Sequence, residues 1–173
     1  MGKIDMELPG YIIRSVELND ASEIQSLFQS DPSYFEIVQG ARPGPSEAQS
    51  LVTTLPKGKD HSDKFVYIIF DRHGALAAVI DLIRGYPESG FWFLGLLFVA
   101  PWTRNIGLGT LIIDAICAHV KQEGGHAVRL GVVRGNVRAR ALYERKEFHF
   151  IYESERTETN GFTVTVDVLE RAL

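Results

Sequence analysis

The sequence has a single cysteine, Cys117, among its 173 residues. One thiol excludes an intramolecular disulfide and a cysteine-built zinc site. Long hydrophobic runs are also missing: the longest apolar stretch, residues 91–101, has eleven residues, whereas a membrane-spanning helix needs about 20. Charged side chains within residues 1–7 replace the apolar segment of a secretion signal. These absences predict a cytoplasmic protein that folds without metal or disulfide.

The length and the charge of the chain further restrict the number of domains and the kinds of ligand. A chain of 173 residues fits one domain, residues 1–173, which can bury about 70% of its unfolded surface. The net charge of −4 disfavours nucleic acid as the main partner. Residues 129–146 nevertheless carry six basic side chains and one acid, so this window is +5 and the rest of the chain is −9. A local positive field favours a small anionic ligand, although a solvated helix face would give the same pattern.

Hydrophobic periodicity predicts a mixed α/β fold. Prolines and glycines in residues 31–45 indicate a loop, and residues 91–99 read as a strand that is buried on both faces. His119 and Cys117 are expected to be buried packing residues on the longest helix. The other predicted elements are strands at 11–18, 65–70, 75–84, 127–133, 148–155 and 162–169, and helices from 21, from 46, at 107–124 and at 139–146.

The segment between residues 99 and 110 carries the sharpest local signal. It joins an apolar strand to an amphipathic helix, and the first turn of a helix presents unpaired N–H groups that attract phosphate oxygens. Gly107 and Gly109 lack Cβ atoms and let a diphosphate approach the backbone, while Arg104 adds a charge and Thr110 a hydroxyl. The spacing fits neither a Rossmann G-x-G-x-x-G turn nor a P-loop. We predict an anion-binding loop; a purely structural loop with two turn glycines is the alternative.

Two segments resemble the GNAT superfamily of N-acetyltransferases. Residues 104–109, Arg-Asn-Ile-Gly-Leu-Gly, match its R/Q-x-x-G-x-G/A motif and follow an L-x-V-x-P strand end at residues 97–101. Residues 136–148 resemble the family's N-x-x-A-x-x-L-Y-E-x-x-G-F segment, with Glu147 in place of the usual glycine. The two segments stand in the family's order and separation, and the resemblance covers about residues 91–148.

The resemblance implies a GNAT fold with acetyl-CoA as the acetyl donor. The expected fold has a mixed, mostly antiparallel sheet of about seven strands with about four helices, and its fourth and fifth strands splay apart. In such folds the fourth strand pairs with the pantetheine arm and the loop amides hold the diphosphate. No metal is expected, because the five histidines show no metal-ligand spacing. The expected cofactor-binding residues are Leu97, Phe98, Val99, Arg104, Asn105, Ile106, Gly107, Leu108, Gly109, Thr110, Asn136 and Tyr143.

Acetylation of an amine requires a proton acceptor and a proton donor. An alkyl amine of pKa near ~10.4 is almost wholly protonated at pH 7, so deprotonation costs about 4.6 kcal/mol. The resemblance implies Tyr143 as the general acid for the leaving thiolate. Relatives often take their base from the fourth or fifth strand, but residues 91–99 contain no acid and Gly131 occupies one such position. Glu36 and Asp81 are the candidate bases, and a water that relays the proton is a third.

These features together predict a transferase. The sequence favours acetyl transfer from acetyl-CoA to a primary amine, on a small molecule or a peptide, by direct attack in a ternary complex. The alternative is a non-catalytic acyl-CoA-binding module that acts as a sensor or partner-binding protein. This alternative is considered because the predicted fourth and fifth strands carry no acid that could serve as the base. Tyr34, Phe35, Tyr86 and Trp92 suggest a partly apolar acceptor pocket, or only caps on the core. Neither nucleic acid nor membrane is an expected partner, and the terminal strands offer a pairing surface for a homodimer.

Overall fold

The computed structural model describes residues 6–173. Residues 1–5, part of the charged N-terminal segment considered above, lie outside the described residues. The strands of the described part are β1 (Ile12–Ser15), β2 (Lys64–Phe70), β3 (Leu76–Arg84), β4 (Phe91–Val99), β5 (Ala127–Val133), β6 (His149–Thr157) and β7 (Thr163–Ala172). The α-helices are α1 (Ala21–Ser30), α2 (Pro32–Gln39), α3 (Glu47–Thr53), α4 (Leu108–Gln122) and α5 (Val137–Arg145).

The strands form one mixed sheet in the order β1-β2-β3-β4-β5-β7-β6. Neighbouring strands are antiparallel except β4 and β5, which are parallel. The β4–β5 ladder ends at the pair Leu94 and Leu130, whereas β5 continues to pair with β7 as far as Val133. The second halves of β4 and β5 therefore diverge. The predicted α/β class, the mostly antiparallel sheet and the splayed fourth and fifth strands are confirmed.

Helices cover both faces of this sheet. On one face α4 buries Ile112, Ile116 and Val120, which recur every four residues and form a single apolar stripe. Each such fully buried side chain contributes roughly 1.5–3 kcal/mol. His119 and Cys117 are buried on the same helix, as expected. On the other face α1, α2 and α3 pack on β2, β3 and β4. Among the described residues, no helix combines the length and apolarity needed to cross a membrane.

The prediction of a loop over residues 31–45 is wrong for its first half, which forms α2. Pro32 stands at the first position of that helix, where its missing N–H costs no hydrogen bond. The helix ends at Gly40, which adopts the left-handed conformation with φ 70°. Proline content indicated a loop because the count did not distinguish a helix-starting proline from the two that follow α2.

The expectation that β4 is buried on both faces is also wrong. Trp92 and Leu94 are buried, but Phe93, Leu97 and Val99 are only half-buried. Pairing with β3 skips Gly95, because Asp81 lies opposite Leu96 and the next residue of β3 lies opposite Leu94. Such a bulge bends the strand and re-aims its side chains. The half-buried residues of β4 therefore border open space rather than core.

Candidate active site

A cavity of about 1170 Å³ opens where β4 and β5 diverge. Cavities that hold drug-sized ligands measure roughly 300–1000 Å³, so this one has room for two reactants. We call the part lined by residues 97–99, 103–105, 107–110 and α5 the loop half. The part lined by Lys64, Asp81, Phe93 and the segment that follows α3 is the ion-pair half. The two halves meet at the bulge of β4.

In the loop half, the start of α4 faces the cavity with its backbone. Gly107 precedes the helix with φ 88°, a left-handed conformation that costs other residues about 1–2 kcal/mol. The N–H of Leu111 reaches the carbonyl of Gly107 at 3.1 Å, and the N–H groups before it belong to the unpaired first turn. A Cβ at Gly107 would meet no atom within 4 Å. The loop thus offers donors and open space to an anion.

The second glycine of the loop has a different role from the one expected. A Cβ at Gly109 would lie 3.1 Å from Cδ2 of Leu142 on α5 and 4.0 Å from Cγ2 of Val99. Gly109 therefore lets α4 and α5 approach each other closely. The motif needs glycine at 107 for backbone conformation and at 109 for helix packing.

Arg104 is held by protein groups. Its Nη2 lies 2.5 Å from Oδ2 of Asp31, its Nε donates to the carbonyl of Val99 at 2.9 Å, and its guanidinium stands 5.8 Å from the ring centre of Phe98. Both partners of the ion pair are mostly buried. Arg104 thus ties the loop to the junction between α1 and α2. Sequence reasoning missed Asp31, which gave no signal beyond its position before Pro32.

Most of the basic window, residues 129–146, is also neutralised by the fold. Arg129 pairs with Glu170, Arg134 and Arg140 with Asp167, and Lys146 with Asp114. Arg138 and Arg145 line the cavity and lack a carboxylate partner among residues 6–173. Arg138 donates instead to Oδ1 of Asn105 at 2.7 Å. The positive field that faces the loop half therefore comes from Arg138 and Arg145.

Tyr143 and Asn136, both expected at the cofactor, line the same half of the cavity. Tyr143 is buried and packs edge-on against Phe148, with 5.6 Å between ring centres. Burial raises its pKa above the ordinary range, and the nearby Tyr34 adds to this shift. A phenol of raised pKa keeps its proton, which suits a donor. Asn136 caps α5 by accepting from the N–H of Ala139 at 3.2 Å, so its amide NH₂ is the group available to a ligand.

The ion-pair half centres on Lys64 and Asp81. Lys64 Nζ lies 2.8 Å from Asp81 Oδ1, and the two residues are 2% and 9% exposed. They stand on adjacent strands and project to the same side of the sheet. A Cβ at Gly95 would lie 2.9 Å from Asp81 Oδ2. The carboxylate of Asp81 therefore lies over the backbone of β4, which has no acid of its own, and glycine at 95 makes this approach possible.

Burial raises the pKa of Asp81 above its ordinary value, although the ammonium of Lys64 opposes the shift. The carboxyl group combines a raised pKa with a place in a cavity, which is a common property of general bases. Sequence reasoning missed Lys64 because the predicted strand began one residue later. Lys64 stands two residues before Val66, which is a core position on the same face of β2. A lysine at such a place in the sequence was the available signal.

The structure separates the second candidate base from this site. Glu36 lies on α2, not in a loop, and its side chain is 55% exposed and 3.9 Å from Arg42. It is not among the described residues that line the cavity. Gly131 does line the cavity, and a Cβ there would meet Cγ1 of Val166 at 2.8 Å. A carboxylate on β5 would thus require Val166 to move.

Of the four aromatic residues expected at an acceptor pocket, two line the cavity and two belong to the core. Tyr34 and Tyr86 line the cavity, and burial raises the pKa of Tyr34 to about 12. Phe35 belongs to the core, where its ring lies 5.1 Å from that of Phe28. Trp92 is also core, 5.1 Å from Phe65 on the opposite face of the sheet. The suggestion of an aromatic acceptor pocket therefore fails for Phe35 and Trp92.

This arrangement fits a phosphate-bearing carrier with an extended arm. In the described part of the chain, the second half of β4 has a free edge, the left-handed Gly107 leaves the helix start open, and two cations without carboxylate partners, Arg138 and Arg145, face it. An extended arm can pair with such an edge as an added strand does. Within the described residues, no group of three or more His, Cys, Asp or Glu side chains is placed to hold a metal ion.

Comparison with known proteins gives the class of this protein. The model of the acetyltransferase (GNAT) family matches residues 24–150. The chain belongs to the GNAT acetyltransferase family, whose members use acetyl-CoA. No curated protein matches the sequence.

Several solved structures share its fold at low sequence identity. An acetyltransferase from Thermus thermophilus is 20% identical, with a TM-score of 0.75 and coverage of 97% of this chain and 100% of that one. Spermidine N-acetyltransferase from Vibrio cholerae, in complex with CoA and spermine, is 18% identical, with a TM-score of 0.72 and coverage of 95% and 96%. The ribosomal-protein-S18-alanine N-acetyltransferase from Escherichia coli is 17% identical, with a TM-score of 0.69 and coverage of 94% and 93%. At these identities the likeness concerns the fold.

Proposed function

We propose that residues 1–173 form one domain that transfers acetyl from acetyl-CoA to a primary amine by direct attack in a ternary complex. The observation that carries this proposal is the open edge of β4, which runs from the start of α4 to the carboxylate of Asp81. The edge joins a site for a phosphate-bearing carrier to a buried proton acceptor. Two of the N-acetyltransferases among the structural neighbours, one for spermidine and one for a ribosomal protein, support an amine acceptor of some kind.

Acetyl-CoA would occupy the loop half. The backbone of Leu97, Phe98 and Val99 would pair with its pantetheine arm, and the N–H groups of residues 105–110 would hold its diphosphate. Asn136 would donate through its amide NH₂, and Arg138 and Arg145 would face the phosphates. Arg104 supports the loop from behind rather than binding the ligand, because its guanidinium is engaged by Asp31 and Val99.

Asp81 and Tyr143 would handle the protons. Asp81 accepts one proton from the ammonium group of the acceptor, and the amine then attacks the acetyl carbon. A nitrogen–carbon bond forms and the carbon–sulfur bond breaks, and the sulfur receives the proton of the Tyr143 phenol. The second proton of the nitrogen returns to that phenol through water. A backbone N–H of β4 beyond Leu94, where the ladder to β5 has ended, stabilises the oxygen that gains charge.

Thermal unfolding with acetyl-CoA, and thiol release with a panel of amines, test the proposal together. We expect acetyl-CoA to raise the melting temperature, since a ligand that binds the native state stabilises it. Thiol release should then depend on the added amine. Stabilisation without thiol release for any amine or peptide would contradict the proposal and favour a non-catalytic binding module.

A homodimer stays a prediction. The residues of β6 are exposed along its whole length, and within the described chain β6 pairs only with β7. An open edge of this kind is a template for pairing with another chain. The molar mass in solution tests this prediction.

A further inference from the structure

The charges that line the ion-pair half are balanced within the protein. Lys64 is paired with Asp81, and Arg129 is paired with Glu170 at 2.5 Å. Arg156, on β6, is paired with Glu158 at 2.6 Å. The remaining carboxylate that lines this half, among the described residues, is Glu155, which is exposed on the edge strand and therefore solvated. The buried part of this half thus offers a ligand one carboxylate, Asp81, whose partner in the protein is Lys64.

The rest of the ion-pair half is largely apolar. Its wall combines side chains of α3 and the segment after it, of β3 and of β4, and Tyr86 contributes an aromatic ring from the turn between those strands. Hydrophobic and aromatic side chains of this kind bind the carbon skeleton of a ligand. The apolar residues of this wall are Leu51, Leu55, Pro56, Ile83, Tyr86 and Phe93.

We infer that the acceptor is a monoamine with an apolar body, and that a second positive charge on the buried part of the acceptor is selected against. This inference rests on the proposed function and specifies its substrate class. The ammonium group of the acceptor is neutralised when Asp81 takes its proton. Lys64 then loses its carboxylate partner, so a second ammonium on the acceptor would add an unpaired positive charge to a buried space that already holds one. Burying an unpaired charge is strongly unfavourable.

Two acceptors of equal chain length test the inference with the full-length protein and acetyl-CoA. Hexylamine and 1,6-diaminohexane share the amine and the chain and differ at the far end, which is apolar or cationic. We expect kcat/KM for thiol release to be at least 10-fold higher with hexylamine than with 1,6-diaminohexane, measured at a pH where the amines of both are ionised to a similar extent.

Leu55→Glu and Leu55→Gln provide a matched pair of variants. Leu55 is half-buried and lies in the irregular segment after α3, which tolerates a polar side chain better than a core strand does. Leu55→Glu supplies the missing second carboxylate, so the ratio of kcat/KM for the diamine to that for hexylamine should rise about 10-fold. Leu55→Gln adds polarity without charge and should leave this ratio near the wild-type value.

The outcomes separate the substrate class from the activity. Equal or better turnover of the diamine would overturn the inference and leave acetyl transfer standing. Acetylation of other amines, with none of hexylamine, would have the same meaning. A protein that binds acetyl-CoA and acetylates no amine would instead overturn the proposed function.

Discussion

The two halves of the cavity are built from different parts of the chain. The loop half depends mainly on the backbone of one continuous segment, the end of β4 and the start of α4, where Gly107 sets a left-handed turn. The ion-pair half depends on side chains that meet across strands, with Lys64 and Asp81 separated by 17 positions in the sequence. Backbone donors suit a ligand that every member of the family shares, whereas side chains can change from one member to another. Under the proposed function, the common donor and the individual acceptor would therefore occupy structurally different sites.

Asp81→Asn should have the largest effect, because it removes the proposed proton acceptor of the ion-pair half. An amide keeps the shape of the side chain but accepts no proton, so we expect kcat to fall roughly 100-fold or more, with little change in the affinity for acetyl-CoA. Because burial raises the pKa of Asp81, the acid limb of the wild-type kcat profile should lie above the ordinary range of an aspartate. That limb should disappear in the variant. Glu36→Gln is the matched control, and a loss of activity there would return Glu36 to the candidates.

Lys64→Met should produce the next largest effect. Removing one partner of a buried ion pair costs about 3–5 kcal/mol, so denaturant unfolding should show a large loss of stability. Without the ammonium the pKa of Asp81 rises further, and the acid limb of kcat should move to higher pH. A raised carboxyl pKa lowers stability as pH rises through it, so the loss should shrink in acid, where Asp81 is protonated.

Lys59→Met provides the control for that experiment. Lys59 pairs with Asp63 at 3.2 Å near the surface, with more exposed side chains than those of Lys64 and Asp81. Such pairs contribute at most about 1 kcal/mol. Equal losses of stability in the two variants would show that the Lys64 pair is not a special feature of the cavity.

Gly107→Val tests the loop half of the cavity. Valine at φ 88° is strained by more than about 1 kcal/mol, and its side chain enters the space that the diphosphate would use. We expect the dissociation constant for acetyl-CoA, measured by calorimetry, to rise at least 10-fold. Gly74→Val is matched, because Gly74 has φ 79° and open space around it but lies in the turn between β2 and β3. If the two variants bind acetyl-CoA equally well, the loop is not the binding site.

The smallest effect should come from the contact that links the loop to α2. If Arg104 acts through Asp31, then Arg104→Gln and Asp31→Asn should each weaken acetyl-CoA binding a few-fold, and the double variant should be little worse than either. If Arg104 instead binds the diphosphate directly, Asp31→Asn should leave the affinity unchanged or improve it. The binding constants of the two single variants and the double variant distinguish these roles.

Elements whose signals are local could be predicted from the sequence. The end of β4, the loop and the start of α4 follow one another along the chain, so their order and turn chemistry stand in adjacent residues. The prediction of a loop failed at α2, because the proline and glycine content alone did not show that Pro32 begins a helix rather than interrupting one. Sequence reasoning also treated Gly107 and Gly109 as equivalent, although the contact of Gly109 with Leu142 arises only when α5 packs on α4.

The sequence alone was sufficient for the fold class and for the position of the glycine-containing loop before α4, since backbone conformation depends on near neighbours. Tertiary structure decided which charges remain available. It paired Arg104 with Asp31, left Arg138 and Arg145 without a carboxylate partner among the described residues, moved Glu36 to the surface and buried Asp81 beside Lys64. These outcomes depend on strand register and helix packing, which bring together residues far apart in the chain, and on burial, which sets the pKa of each group.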